Sequence, residues 1–149
     1  MSMTGLPVFD ETVHATNTWL HEITSRCDLK DRQQGYRLMR VCLHTIRDAI
    51  SVNASANLTA QLPMLMRGIY YEGWEPASLP KRVKSVDEFL SDIDEAFSQE
   101  PDFDSAEAFL EFISVMAMHI SEGEMDHLRK MMPDEIKPLW EDYSGYVAT

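Results

Sequence analysis

The chain has 149 residues, 44% of them hydrophobic, with 25 acidic against 13 basic side chains and a formal net charge of −12. That length and apolar content suffice to bury one substantial core, and that charge repels phosphate backbones, which argues against nucleic acid as a partner. Two cysteines, no secretory pattern in MSMTGLPVFD and no apolar run long enough to span a bilayer lead us to expect a soluble protein of the reducing cytoplasm, without a membrane partner.

Taken in chain order, apolar spacing predicts a first helix over residues 10–27, with Trp19, Leu20 and Ile23 on one face. A second, over 31–52, sets Tyr36, Met39, Leu43, Ile46 and Ile50 at steps of 3, 4, 3 and 4. Third and fourth helices, 54–62 and 63–72, meet at Leu62-Pro63, where proline's missing N–H costs nothing, and Tyr70, Tyr71 and Trp74 close the half. The stretch EPASLPKRVK, 75–84, reads as a linker. A fifth helix, 85–97, opens on SVDE, a capping box, and a sixth, 105–121, follows Asp104 with Glu107 three residues on. The sixth carries Ala106, Phe109, Ile113, Met116 and Ile120 on one stripe. Helices over 124–132 and 133–143 complete the chain, again meeting at a proline, Pro133. Asn53 and Gly123, residue types that tolerate the left-handed conformation, are expected to close the second and sixth helices.

The second half restates the first. Displaced by 70 residues without a gap, Trp19, Leu20 and Ile23 fall on Phe89, Leu90 and Ile93; Met39, Leu43, Ile46 and Ile50 on Phe109, Ile113, Met116 and Ile120; Leu62-Pro63 on Met132-Pro133. Apolar character persists where identity does not, as burial requires. The expected fold is all-α: one domain, 1–149, of two pseudo-repeated helical subdomains, 10–74 and 80–144, about four helices each, sharing one core. The phrases LTAQLPMLMRGIYYEGW and GEMDHLRKMMPDEIKPLW resemble those of a bacterial family known as domain of unknown function 2267, over about residues 13–143. That resemblance implies a small, doubled, all-helical protein and carries over no catalytic residue or cofactor.

Few constellations suggest chemistry. Cys27 and Cys42 match Phe97 and Phe112, so they read as small core hydrophobes, and no zinc spacing accompanies them. Glu11 with His14 and Glu124 with His127 make two Glu-x-x-His pairs, half of a carboxylate di-iron set, yet they stand at unrelated places in the repeat. His119, near Glu122, reads as a helix-terminal hydrogen-bonding group. The ten methionines read as packing, with Met131 and Met132 ending a buried helix. Arg37, Arg40, His44 and Arg47 line one helix face, against Glu107, Leu110, Ser114 and Ala117 on its counterpart, which suggests that the sixth helix is covered on more sides, by the other half or by another chain. Residues 1–74 carry 7 basic and 7 acidic side chains, and 75–149 carry 6 and 18. The expected function is therefore non-enzymatic: binding a protein partner or a second copy, a homodimer being favoured, through Arg37, Arg40, His44 and Arg47 meeting the acidic stretch SVDEFLSDIDEAFSQEPDFD, with no catalytic residue and no cofactor. The alternative is a metal- or small-ligand-binding bundle built on Glu124, His127, Glu11 and His14.

Overall fold

The computed structural model describes residues 2–141; the predicted helix end at 142–143 and the close of the second repeat lie outside them. Among the described residues there are eight α-helices and no strand: α1 (Pro7–Arg26), α2 (Arg32–Ala49), α3 (Val52–Thr59), α4 (Met64–Tyr71), α5 (Val86–Ala96), α6 (Ser105–His119), α7 (Glu122–Met131) and α8 (Lys137–Glu141), with a 3-10 turn at Pro76–Ser78 in the linker. α8 starts later than Pro133 because a turn intervenes, closed by the Ile136 amide donating to the Pro133 carbonyl at 2.9 Å.

Five helices begin in the same way. Asp31, Ser51, Ser85, Asp104 and Ser121 each accept, through the side chain, the amide of the residue three positions on, at 2.9–3.2 Å. Ser51 and Ser121 stand 70 residues apart, each after an extended isoleucine, Ile50 and Ile120. They correct the expected ends of α2 and α6. Asn53 and Gly123 lie inside α3 and α7, neither has a positive φ, and each break is made by an extended residue plus a serine cap. The last residues of α1 and α5 are followed by matched caps, Cys27 and Phe97.

The halves pair crosswise. α1 packs on α2 and also on α6, α2 packs on α5 and α6, and α3 packs on α7. Close approach of α1 and α2 depends on Gly35, where a Cβ would collide with Thr24 Oγ1. One hydrophobic cluster runs from Trp19 to Trp140 through both halves. Leu38, Met39, Cys42, Leu43 and Ile46 of α2 are fully buried, as are Phe109, Phe112, Ile113, Val115 and Met116 of α6. The buried faces are thus wider than one stripe on both long helices. Two expectations are corrected: Tyr36 is 41% exposed and Met131 is 43% exposed. On the α6 face matching the arginine stripe, Leu110 and Ser114 are half-buried, and within the single chain Glu107 and Ala117 are exposed.

Because that cluster crosses the halves, near-ultraviolet circular dichroism and amide exchange should report one cooperative transition for both. Phe109→Ala, which empties a ring packed edge-on to Phe89 and Trp140, should lower stability by about 3–5 kcal/mol and move both halves together. Two separate transitions would sink the shared core.

Candidate functional site

The basic face of α2 is spent largely on holding α4. Arg47, only 6% exposed, donates from one guanidinium nitrogen to the Tyr70 and Glu72 carbonyls at 2.9 and 2.8 Å, and from Nε to Asp48 at 2.9 Å. Carbonyls at the end of a helix lack partners within it, so a cation there meets both an orphan acceptor and the negative end of the dipole. One turn earlier, His44 Nε2 donates to the Ile69 carbonyl at 2.7 Å, and burial holds this imidazole below its ordinary pKa although that bond acts in the opposite sense. Arg40 reaches Glu72 from Nε at 3.2 Å, and its hydrogen bond, then its charge, keeps the exposed Glu72 carboxyl below the usual range. Arg37 alone turns elsewhere, with its guanidinium 5.5 Å from the centre of the Phe97 ring.

The histidines are dispersed. His119, in the last turn of α6, stacks on Trp19 of α1 with ring centres 4.7 Å apart and bonds through Nε2 to Glu22, also of α1, at 2.7 Å. Its partner is therefore across the halves and not the neighbouring Glu122. Glu11 and His14 are exposed on α1, whereas Glu124 and His127 are half-buried on α7, where the Glu124 amide donates to the capping Ser121. Among the described residues no three His, Cys, Asp or Glu side chains converge in a group able to hold a metal ion.

Two surface features lay beyond the reach of the spacing patterns. The first is an apolar strip where α1 meets the start of α4. The Leu65 amide donates to Thr12 Oγ1 at 2.8 Å, and around this junction Leu6, Val8, Phe9, Met64 and Leu65 are 43–51% exposed. The second is a cleft of about 520 Å³ between the α1–α2 turn and the α5–α6 loop, floored by Cys27, Leu29, Phe103 and Ala108. Arg26 and Glu111 pair across its end at 3.3 Å. The Cys27 thiol, 3.9 Å from the Ala108 carbonyl, is pushed up to about 12, by burial first and then by the negative charges of Glu111 and Glu107. Cys42 is fully buried and raised as well, again chiefly by burial.

No helix among the described residues is long and apolar enough to cross a membrane. A family model described as an uncharacterized conserved protein, DUF2267, matches residues 16–139. A comparison with curated proteins gives no match.

Two outcomes follow from this geometry. Arg47→Met leaves two helix-end carbonyls without their cation and should cost about 2–4 kcal/mol by urea denaturation, where Arg37→Met costs under about 1. With its thiol raised to about 12, Cys27 holds a thiolate fraction on the order of 10⁻⁴ at pH 8. Alkylation of the native protein should accordingly run at least about 100-fold slower than in urea and quicken as pH rises. Glu107→Gln should change that rate little, since burial is the larger cause; rapid native labelling near pH 8 would contradict the raised thiol.

Proposed function

The chain belongs to the DUF2267 family of uncharacterized conserved proteins, and within it we propose a non-enzymatic, cytoplasmic binding protein that associates with a second copy of itself. The observation that carries this reading is the apolar strip of Leu6, Val8, Phe9, Met64 and Leu65. Clustered exposed apolar side chains cost free energy in water, and removing them from water by association recovers about 25 cal/mol for each Å² buried. An isologous pair places the same patch against itself, which an apolar strip permits without charge matching.

Charge supports a second copy as the occupant and fixes which ends meet. The strip lies in the half that holds 7 basic and 7 acidic side chains, and the net −12 lies entirely in 75–149. The strip's own side chains carry no charge and the charges of its half balance, so a contact made through it sets no excess of like charge directly at the seam. Of the arginine stripe, Arg40, His44 and Arg47 already bond to residues 69–72, and we therefore assign the contact to the apolar strip in preference to that stripe. Free thiols at Cys27, half-buried, and Cys42, buried, accord with a reducing compartment. The non-enzymatic reading rests on how the polar groups are used: Arg47, His44 and His119 each hold one helix against another.

Light scattering should give a mass near twice 17.1 kDa, rising in occupancy with salt as repulsion between acidic halves is screened. Phe9→Glu with Leu65→Glu should return the monomer while leaving the melting temperature of the fold within a few degrees. A wild-type monomer at high concentration would sink self-association, and a dimer that survives both substitutions would place the interface elsewhere. For the metal-binding alternative, elemental analysis of protein purified without chelator should show iron, manganese and zinc far below one equivalent.

A further inference from the structure

The 520 Å³ cleft has a filled counterpart 70 residues away, and the comparison shows why the cleft is open. Cys27 caps α1 where Phe97 caps α5. Ala108 stands on α6 where Leu38 stands on α2, and Glu107 where Arg37 stands. In the filled copy the Phe97 ring is 2% exposed, Leu38 is fully buried, and the Arg37 guanidinium lies 5.5 Å above the ring. An aromatic body with a cation over it therefore occupies the position. In the open copy a thiol and a methyl replace ring and isobutyl group, so the volume is missing, and a carboxylate replaces the guanidinium, so the cation is missing too.

The walls of the open copy match that missing group. Its floor is apolar, and Phe103, stacked flat on Phe97 at 4.0 Å, offers an aromatic wall. Six carboxylates line the cleft against two cations, Arg26 and Lys30. Three carboxylates already have partners: Glu111 pairs with Arg26, Asp104 caps α6, and Glu100 accepts from Gln34 at 3.0 Å. Asp28, Asp102 and Glu107 remain without a hydrogen-bonding or ionic partner among the described residues. The upward push on the Cys27 thiol from Glu107 and Glu111 reports the same negative field at the floor. The volume falls within the range of small-molecule sites, roughly 300–1,000 Å³.

We propose that this cleft binds a small organic cation with an apolar or aromatic body, the body resting on Cys27, Leu29, Phe103 and Ala108 and the ammonium or guanidinium group meeting Glu107 and Asp28. The proposal is independent of self-association, since the apolar strip involves other residues.

Calorimetric titration of the full chain with phenethylammonium, and separately with phenylpropionate and ammonium chloride, tests it. Phenethylammonium should bind at one site per chain and perturb the amide resonances of residues 26–30 and 100–111. Phenylpropionate and ammonium should not, because one has the wrong charge and the other lacks the body. Glu107→Gln should weaken binding at least about fivefold while moving the melting temperature by no more than the few degrees that loss of one first-turn carboxylate accounts for. Cys27→Phe with Ala108→Leu rebuilds the filled copy and should abolish binding; should that variant unfold, Ala108→Leu alone, which intrudes on the floor, should still weaken it at least about tenfold. The proposal is overturned if phenethylammonium leaves those resonances unmoved at millimolar concentration, if phenylpropionate binds as well, or if Glu107→Gln and Ala108→Leu bind like the wild type. Tighter binding of an arginine-containing tetrapeptide would overturn a free small molecule as the ligand.

Discussion

Two long helices that are apolar over most of their circumference govern this molecule. α2 buries Leu38, Met39, Cys42, Leu43 and Ile46 completely, and α6 does the same with Phe109, Phe112, Ile113, Val115 and Met116. Within its own half α2 packs chiefly on α1 and α4, and α6 on α5 and α7, which is too little to cover such a face. Crosswise pairing of α1 with α6 and α2 with α5 supplies the remainder. Several polar contacts then fall on the seam between halves, His119 with Glu22, Arg26 with Glu111 and Gln34 with Glu100, whereas the Arg40, His44 and Arg47 bonds stay within the first half.

A repeated frame with unequal side chains turns equivalent positions into different local chemistry. His119 fills the groove beside Trp19, whereas its counterpart, Ala49, leaves room beside Phe89. The linker takes up that room. The Lys81 amide donates to the Asp48 carbonyl at 2.7 Å, Val83 is buried there, and only about 20 Å³ remains. Arg47 clamps the end of α4, while Ala117, at the same place on α6, is exposed. Removing bulk at one copy of a site and polarity at the other is how a single scaffold acquires a filled contact and an open cleft without any change in helix order.

The helices were legible because burial leaves a period in the sequence, and the caps because Asp104 and Ser85 precede acidic first turns. What the period cannot convey is which element covers a face. Arg37, Arg40, His44 and Arg47 lie on one stripe by spacing, but the last three face helix-end carbonyls or a carboxylate only because α4 folds back on α2. Tyr36 continues the apolar stripe of α2 yet lies at its margin, one turn too near the end to be covered. The apolar strip is not legible from spacing because α1 starts at Pro7, before the predicted residue 10, which leaves Val8 and Phe9 outside any predicted helix. Ile50-Ser51 and Ile120-Ser121 were the signal for the helix breaks, being an identical pair at the repeat distance. The cleft needed two loops distant in sequence to meet, and only the small residues at 27 and 108, opposite Phe97 and Leu38, hinted at it.

The charge asymmetry fits the same frame. In the second half, carboxylates sit in first turns, at Asp87 and Glu88 of α5, Glu107 of α6, and Glu122 and Glu124 of α7, while α2, α3 and α4 have none there. Each such placement is stabilised by the helix dipole by about 0.3–1 kcal/mol. Folding can therefore carry this excess of acid locally. Dipoles act only within a turn, however, and mutual repulsion among carboxylates at greater distance stays. Asp28, Asp102 and Glu107 line one cleft where helix ends and loops from both halves converge, and a bound cation there would relieve part of that repulsion while touching apolar surface.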